Sequence, residues 1–178
     1  MFDKLKESFR KRAERNRAHR DLLRAISDHD IAGVKELSAA RDLINLNSYP
    51  YLAHAVNEGT PKIIATMLEN GADQNLWTRG TVTRLIVPPI AEAILQRKPD
   101  MVAVFLDDPR AIPPDEVHVW RDADELLTPS SETLLGLARN RGSRECLELL
   151  EKHMMEKYKK KYERDDRPAP KKPSEPGR

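Results

Sequence analysis

Apolar residues along the chain fall into short clusters separated by polar breaks, and the clusters come in pairs. Four stretches align as rows: DLLRAISDHDIAGVKEL from Asp21, PYLAHAVNEGTPKIIATML from Pro50, PPIAEAILQRKPDMVAVFL from Pro88 and ETLLGLARNRGSRECLELL from Glu132. In each row a short apolar segment carries an alanine (Ala25, Ala55, Ala93, Ala138), a polar break follows, and a second apolar segment completes the row. The pattern predicts four pairs of helices. A small residue at one fixed point of every first helix lets neighbouring helices approach closely, and the apolar second helix fills the space between layers.

The breaks carry signals for helix ends. Gly59 and Gly142 are expected to turn the chain between helices with a positive φ, which costs little without a Cβ. Thr60-Pro61 predicts a helix start, because the threonine oxygen caps a free amide and proline is pre-set for the first helical position. Ser143 suits the same role, with Glu145 in the positively polarised first turn. Gly71 is expected to stop the second helix of its row in a left-handed cap, with Asp73 and Asn75 in the turn that follows.

These rows resemble ankyrin repeats. The second row carries the family pattern at Leu52, Ala55, Gly59, Ile63, Ile64, Leu68, Gly71, Ala72, Asp73 and Asn75, and the fourth at Thr133, Leu135, Ala138, Gly142, Glu145, Leu149 and Leu150. The third matches at Ile90, Ala93, Met101, Val102 and Leu106, the first at Leu22, Ala25, Val34, Leu37 and Asn45. The resemblance covers residues 21–152 and implies an all-α fold, an ankyrin-like helical repeat solenoid with long inter-repeat loops. Departures are also visible. The four alanines lie 30, 38 and 45 residues apart, against a family period of about 33, so the additional residues belong to loops between rows. His29 stands where the first row needs glycine, Lys98 where the third needs a cap, and the Gly-Ala-Asp-Asn run gives way to DDPRAIPPDEV after Leu106.

Composition agrees with a helical chain: 34% of residues are charged and 5% aromatic, which disfavours a β-sandwich with aromatic and β-branched strands. A single cysteine, Cys146, excludes an internal disulfide and a cysteine-based zinc site, which fits a reducing compartment, and a cytoplasmic location is expected. Charges interrupt every apolar pair in MFDKLKESFRKR, so no secretory signal is expected there, and no run approaches a membrane span. Net charge is uneven. Residues 1–20 and 157–178 each carry +5, and the body between them carries −8. The organisation expected is therefore a basic leading helix at 1–20 capping the first row, the repeat domain at 21–152, and a basic helix end with a disordered lysine- and proline-rich tail at 153–178.

No glycine-rich phosphate loop, nucleophile elbow or H-E-x-x-H pair is present, so no enzymatic activity, cofactor or metal is expected. The five histidines are scattered, and Cys146 sits where the pattern wants an apolar helix residue. Two loops carry contact chemistry. NLWTRGTVTRLIV, from Asn75 to Val87, sets Trp77 beside Arg79 and Arg84, suited to anchoring a partner or to packing back on the helices. The stretch from Asp107 to Thr128 combines seven carboxylates with His118, Trp120 and Arg121; its spacing matches no calcium loop, and it reads as a solvated acidic loop or a contact for a basic surface.

The resemblance implies binding of a protein partner without chemistry, through loop tips and the concave face of the first helices. The expected contacts are His54, Trp77, Arg79, Arg84, Trp120 and Arg121, on a monomeric protein. Two alternatives stand beside it: a nucleic-acid- or ribosome-associated adaptor using the basic ends, and a secreted bacterial effector that binds a host protein.

Overall fold

The structure is a computed structural model, and it describes residues 2–79, 86–111, 113–115, 118–120 and 131–165. The protein is mostly helical. Its helices are α1 (Phe2–Ser27), α2 (Ile31–Ala39), α3 (Tyr51–Glu58), α4 (Pro61–Glu69), α5 (Pro89–Leu95), α6 (Pro99–Asp107), α7 (Leu134–Arg141) and α8 (Arg144–Asp165). Each odd-numbered helix pairs with the even-numbered one after it. The odd helices also pack in series, α1 on α3, α3 on α5 and α5 on α7, and the even helices do the same from α2 to α8. Two rows of helices result, with the core between them.

Leu22, Ile26, Ile63, Met67, Phe105 and Leu150 are fully buried there, and burial of a side chain of this size contributes about 1.5–3 kcal/mol. The four aligned alanines are all buried, Ala55 and Ala93 completely. Packing alone fixes their size, since a longer side chain would force the first helices apart.

Within the pairs the chain turns in two different ways. Gly59 and Gly142 do not adopt the expected positive φ; their φ values are −91° and −75°, with extended ψ. Glycine is required there for room instead, because a Cβ would stand 2.7 Å from the Ala55 carbonyl oxygen and 2.8 Å from that of Ala138. The left-handed conformation occurs in the rows that lack glycine, at His29 (φ 58°) and Arg97 (φ 57°). Both turns close with paired backbone bonds. His29 N and Asp30 N reach Ile26 O and Ala25 O at 3.2 and 2.8 Å, and Arg97 N and Lys98 N reach Ile94 O and Ala93 O at 3.0 Å each. This is the bonding of a Schellman cap.

Three of the four second helices start on side-chain caps, α6 being the exception. Asp30 Oδ1 accepts from Gly33 N at 3.0 Å, Thr60 Oγ1 from Ile63 N at 3.4 Å and Ser143 Oγ from Cys146 N at 3.2 Å. Gly71 has a φ of 91°, the left-handed stop its position after α4 predicts.

Residues 2–20 are not a separate cap but run unbroken into the first helix of the first row as α1, and Leu5 and Phe9 are 50% and 65% exposed. Nothing between Arg20 and Asp21 breaks a helix, so one helix forms. At the other end helical structure continues to Asp165, within the segment 153–178 where a basic helix end is expected. Lys157 Nζ donates to Ala111 O at 2.6 Å and Tyr158 Oη to Asp115 Oδ2, tying α8 to the loop after α6; residues 166–178 lie outside the described residues.

The loops between pairs contain short strands that the apolar pattern does not predict. β1 (Thr78–Arg79) pairs antiparallel with β2 (Ile86–Val87), and β3 (His118–Trp120) with β4 (Ser131–Thr133), in the register Val119 opposite Glu132. β2 also lies beside β3.

Candidate functional site

The loops leaving α2, α4 and α6 begin alike. Asn47 N donates to Asn45 Oδ1 at 3.0 Å, Asn75 N to Asp73 Oδ1 at 2.9 Å and Arg110 N to Asp108 Oδ1 at 2.8 Å. Each is an Asx turn, in which a short side chain bonds the amide two residues on. The third row thus keeps through Asp108 the turn geometry that its sequence, without the Gly-Ala-Asp-Asn run, obscures. Successive turns are also bonded to one another. Asn47 Oδ1 accepts from Asp73 N at 2.9 Å, and Asn75 Nδ2 donates to Arg110 O at 3.4 Å. Beneath them the buried Gln74 amide donates to Phe105 O at 2.9 Å and accepts from Ala111 N at 3.1 Å. The loop-side ends of three successive pairs are cross-tied in this way, and a surface built on them keeps its shape without a ligand.

Beside these turns a groove of about 530 Å³ opens between α4 and α6. Ala65, Leu68, Val104 and Pro109 give it an apolar lining, while Glu69, Asp107 and Asp108 give it an acidic one. Arg110 is already committed. Its Nη2 lies 2.5 Å from Asp108 Oδ2 and 2.9 Å from Leu68 O, and its Nε 2.9 Å from Asp108 Oδ1. These bonds hold the Asp108 carboxyl below its usual range and raise the guanidinium above its own. Glu69 and Asp107 make no ion pair among the described residues, so the groove keeps an excess of negative charge.

The expected contact residues are not all together. Trp77 is 40% exposed; with Asn75, Pro88 and Ile90 it lines a crevice of about 30 Å³ at the base of the loops, so the ring is partly packed and partly open. Arg79 lies on β1 and Trp120 on β3, whose hairpins adjoin through β2 and β3. Their side chains fall outside the described residues, as do Arg84, Arg121 and the acidic stretch 121–130 altogether. His54 stands apart. It lies on α3 with a side chain 17% exposed, Nε2 3.6 Å from Glu58 Oε2 and 3.5 Å from Ser27 Oγ, beside the last residues of α1 and α3. That is the turn end of the helix pairs, opposite to the loops that carry Trp77 and Trp120.

Sequence reading missed the groove itself. A signal was present: Ala65, Leu68 and Glu69 are spaced to share one helix face, as are Val104, Asp107 and Asp108, but only packing of α4 on α6 makes them neighbours.

Among the described residues no group of three or more histidine, cysteine or carboxylate side chains is placed to hold a metal ion, and no helix is long and apolar enough to cross a membrane. Cys146 is fully buried in α8. Compared with models of known protein families the chain matches none, and no curated protein sequence matches it.

Proposed function

We propose that the protein is a non-catalytic binding module of the ankyrin-repeat type, whose partner is a protein carrying a basic, partly apolar segment. The observation that carries this reading is the groove between α4 and α6: an apolar lining and two carboxylates, Glu69 and Asp107, without an ion pair among the described residues, beside loop bases already cross-tied by hydrogen bonds. A pre-ordered surface spares the entropy of arranging its contact residues on association, and the lysines or arginines of the segment meet Glu69 and Asp107. The stacking of helix pairs with a buried alanine at one fixed position supports the repeat assignment, and a buried free thiol supports work in a reducing compartment such as the cytoplasm.

The test is affinity capture with wild-type protein and with Val104→Arg, Glu69→Lys and Trp77→Ala variants, coupled to a photo-crosslinker at position 65. A partner crosslinked from position 65 through a basic segment, and lost in Val104→Arg and Glu69→Lys, is the expected result. Recovery of the same partners by all variants in equal amounts would reject the groove as the binding surface.

A further inference from the structure

At the start of the helix series, α1 and the loop after α2 enclose a second groove, of about 420 Å³, within the range of roughly 300–1,000 Å³ common for small-ligand sites. Its character is different. Three rings meet in it: His19 and Tyr49 are edge to face with centroids 4.7 Å apart, Tyr49 and Tyr51 are 4.9 Å apart, and His19 Nδ1 lies 2.6 Å from Tyr51 Oη. Tyr51 is buried and anchors the cluster, whereas Tyr49 is 39% exposed.

Arg15 from α1 and Arg41 from the loop line the same groove, and neither guanidinium makes a hydrogen bond or ion pair among the described residues, although that of Arg41 reaches toward Gly71. Three other cations of α1 are already engaged. Arg10, Lys11 and Arg17 are paired with Glu14, Glu7 and Asp21. A guanidinium without an ion pair gives up no existing partner when it meets an incoming anion, and its planar fork matches phosphate oxygens in pairs. The only acid in the lining is Asp42.

An accessible aromatic ring in one groove with two arginines free of ion pairs among the described residues meets both needs of a nucleotide, a π-face for the base and a fork for the phosphate. We propose that this groove binds single-stranded nucleic acid, with a base against Tyr49 and the flanking phosphates on Arg15 and Arg41. A duplex keeps its bases stacked and offers none to Tyr49. A phosphopeptide uses the arginine pair but gives no role to the cations beyond it, whereas a strand carries a phosphate at every step: Arg12, unpaired among the described residues, lies one turn before Asn16 on the same face of α1, and residues 1–20 carry +5. The site shares no residue with the groove between α4 and α6, so it stands or falls independently of the protein-binding reading.

Fluorescence anisotropy on the intact protein decides it, using labelled oligo-U and oligo-dT of about fifteen nucleotides, a hairpin duplex, and phosphoserine and phosphotyrosine peptides. The expected result is preference for the single strands, with affinity falling as salt rises. Arg15→Ala with Arg41→Ala weakens binding about tenfold or more and flattens the salt dependence, by a log–log slope of about 0.7 for each phosphate contact removed. Tyr49→Ala weakens it about tenfold, Tyr49→Phe keeps most of it, and Arg141→Ala on α7 changes nothing. Comparison of the U and dT strands separates RNA from DNA as the source. Circular dichroism and melting curves matching wild type show that each variant is folded. The proposal is overturned by absence of binding at about 50 mM salt, by Tyr49→Ala and the double arginine variant binding like wild type, or by binding confined to the duplex or the phosphopeptides.

Discussion

Lys98 places its ammonium group 2.6 Å from the carbonyl oxygen of Val56 and 3.0 Å from that of Asn57. From the other side, His29 sets Nε2 2.8 Å from Glu58 O. The last carbonyls of α3, which have no partner within their own helix, are thus met by residues from the pairs before and after it. Lys98 occupies the position of a helix N-cap yet its side chain has no acceptor to offer α6; its contribution is to the end of a different helix, where a positive charge opposes the partial negative charge of the helix terminus.

Replacing Lys98 with methionine keeps the length of the side chain and removes the donor. Hydrogen bonds from a charged group contribute about 1.5–3 kcal/mol, and partial exposure puts the expected loss near the lower end. Urea unfolding should show a lower midpoint with an unchanged slope, and Lys98→Arg should recover most of it. A methionine variant as stable as wild type would show that the carbonyls of α3 are served equally well by water.

The two kinds of turn predict opposite responses to glycine chemistry. Gly59→Ala brings a Cβ to 2.7 Å from a backbone oxygen that has no freedom to withdraw, so a loss above about 1 kcal/mol is expected. Arg97→Gly removes a side chain from a left-handed residue, and relief of about 1–2 kcal/mol there offsets the added entropy of the unfolded chain. The variant should match or exceed wild type in melting temperature. A clear loss in Arg97→Gly, with Gly59→Ala neutral, would invert the reading of both turns.

Local signals explain what could be read directly from the sequence. Ala25, Ala55, Ala93 and Ala138, with Thr60 and Ser143 as caps, mark four helix pairs because each acts within a few residues of chain. Gly59 and Gly142 were legible as turn residues but not in their conformation, since glycine serves for a close approach as readily as for a positive φ. The continuity of α1 was missed because charge distribution, not a helix breaker, suggested a boundary at residue 20. Both grooves were out of reach for another reason. Leu68 and Val104, like His19 and Tyr49, are more than 25 residues apart, and nothing in either segment alone announces its neighbour. Even the stretch Leu68–Asn75, recognisable as a helix stop through Gly71, hid the bonds from Asp73 and Asn75 to the loops on either side.

His153 on α8 gives the fold a dependence on pH. Burial, with Lys157 nearby, lowers its pKa below the ordinary 6.5, and its Nε2 is buried without a partner among the described residues. Between the folded and unfolded pKa values the unfolded chain holds more protons, so stability is complete above about pH 6.5 and declines as pH falls below it. Thermal melts at pH 7.5 and 5.5 should differ more for wild type than for His153→Leu. If the two proteins lose the same number of degrees, the proton is taken up elsewhere.

Arg110 lowers the pKa of an acid by favouring its charged form, whereas burial lowers that of His153 by disfavouring its charged form, and both cost stability as pH falls. Its guanidinium bonds hold the Asp108 carboxyl below the ordinary 3.8, and the Asp108 side chain is only 6% exposed. The stabilisation is complete above that value and is lost as pH falls through the lowered pKa, because the folded state then has to take up a proton that the unfolded state already holds. Arg110→Met leaves a sheltered carboxylate without its counter-charge and Leu68 O without its donor. At pH 7 the expected cost is about 1–2 kcal/mol, since Arg110 itself is partly in water and screened. Below pH 4 Asp108 becomes neutral in the variant first, and the gap between the two proteins should close. Unfolding in urea at pH 7 and pH 3 measures it: a gap of the same size at both would place the effect in the bond to Leu68 O, and a gap that narrows at pH 3 places it in the ion pair at the edge of the groove.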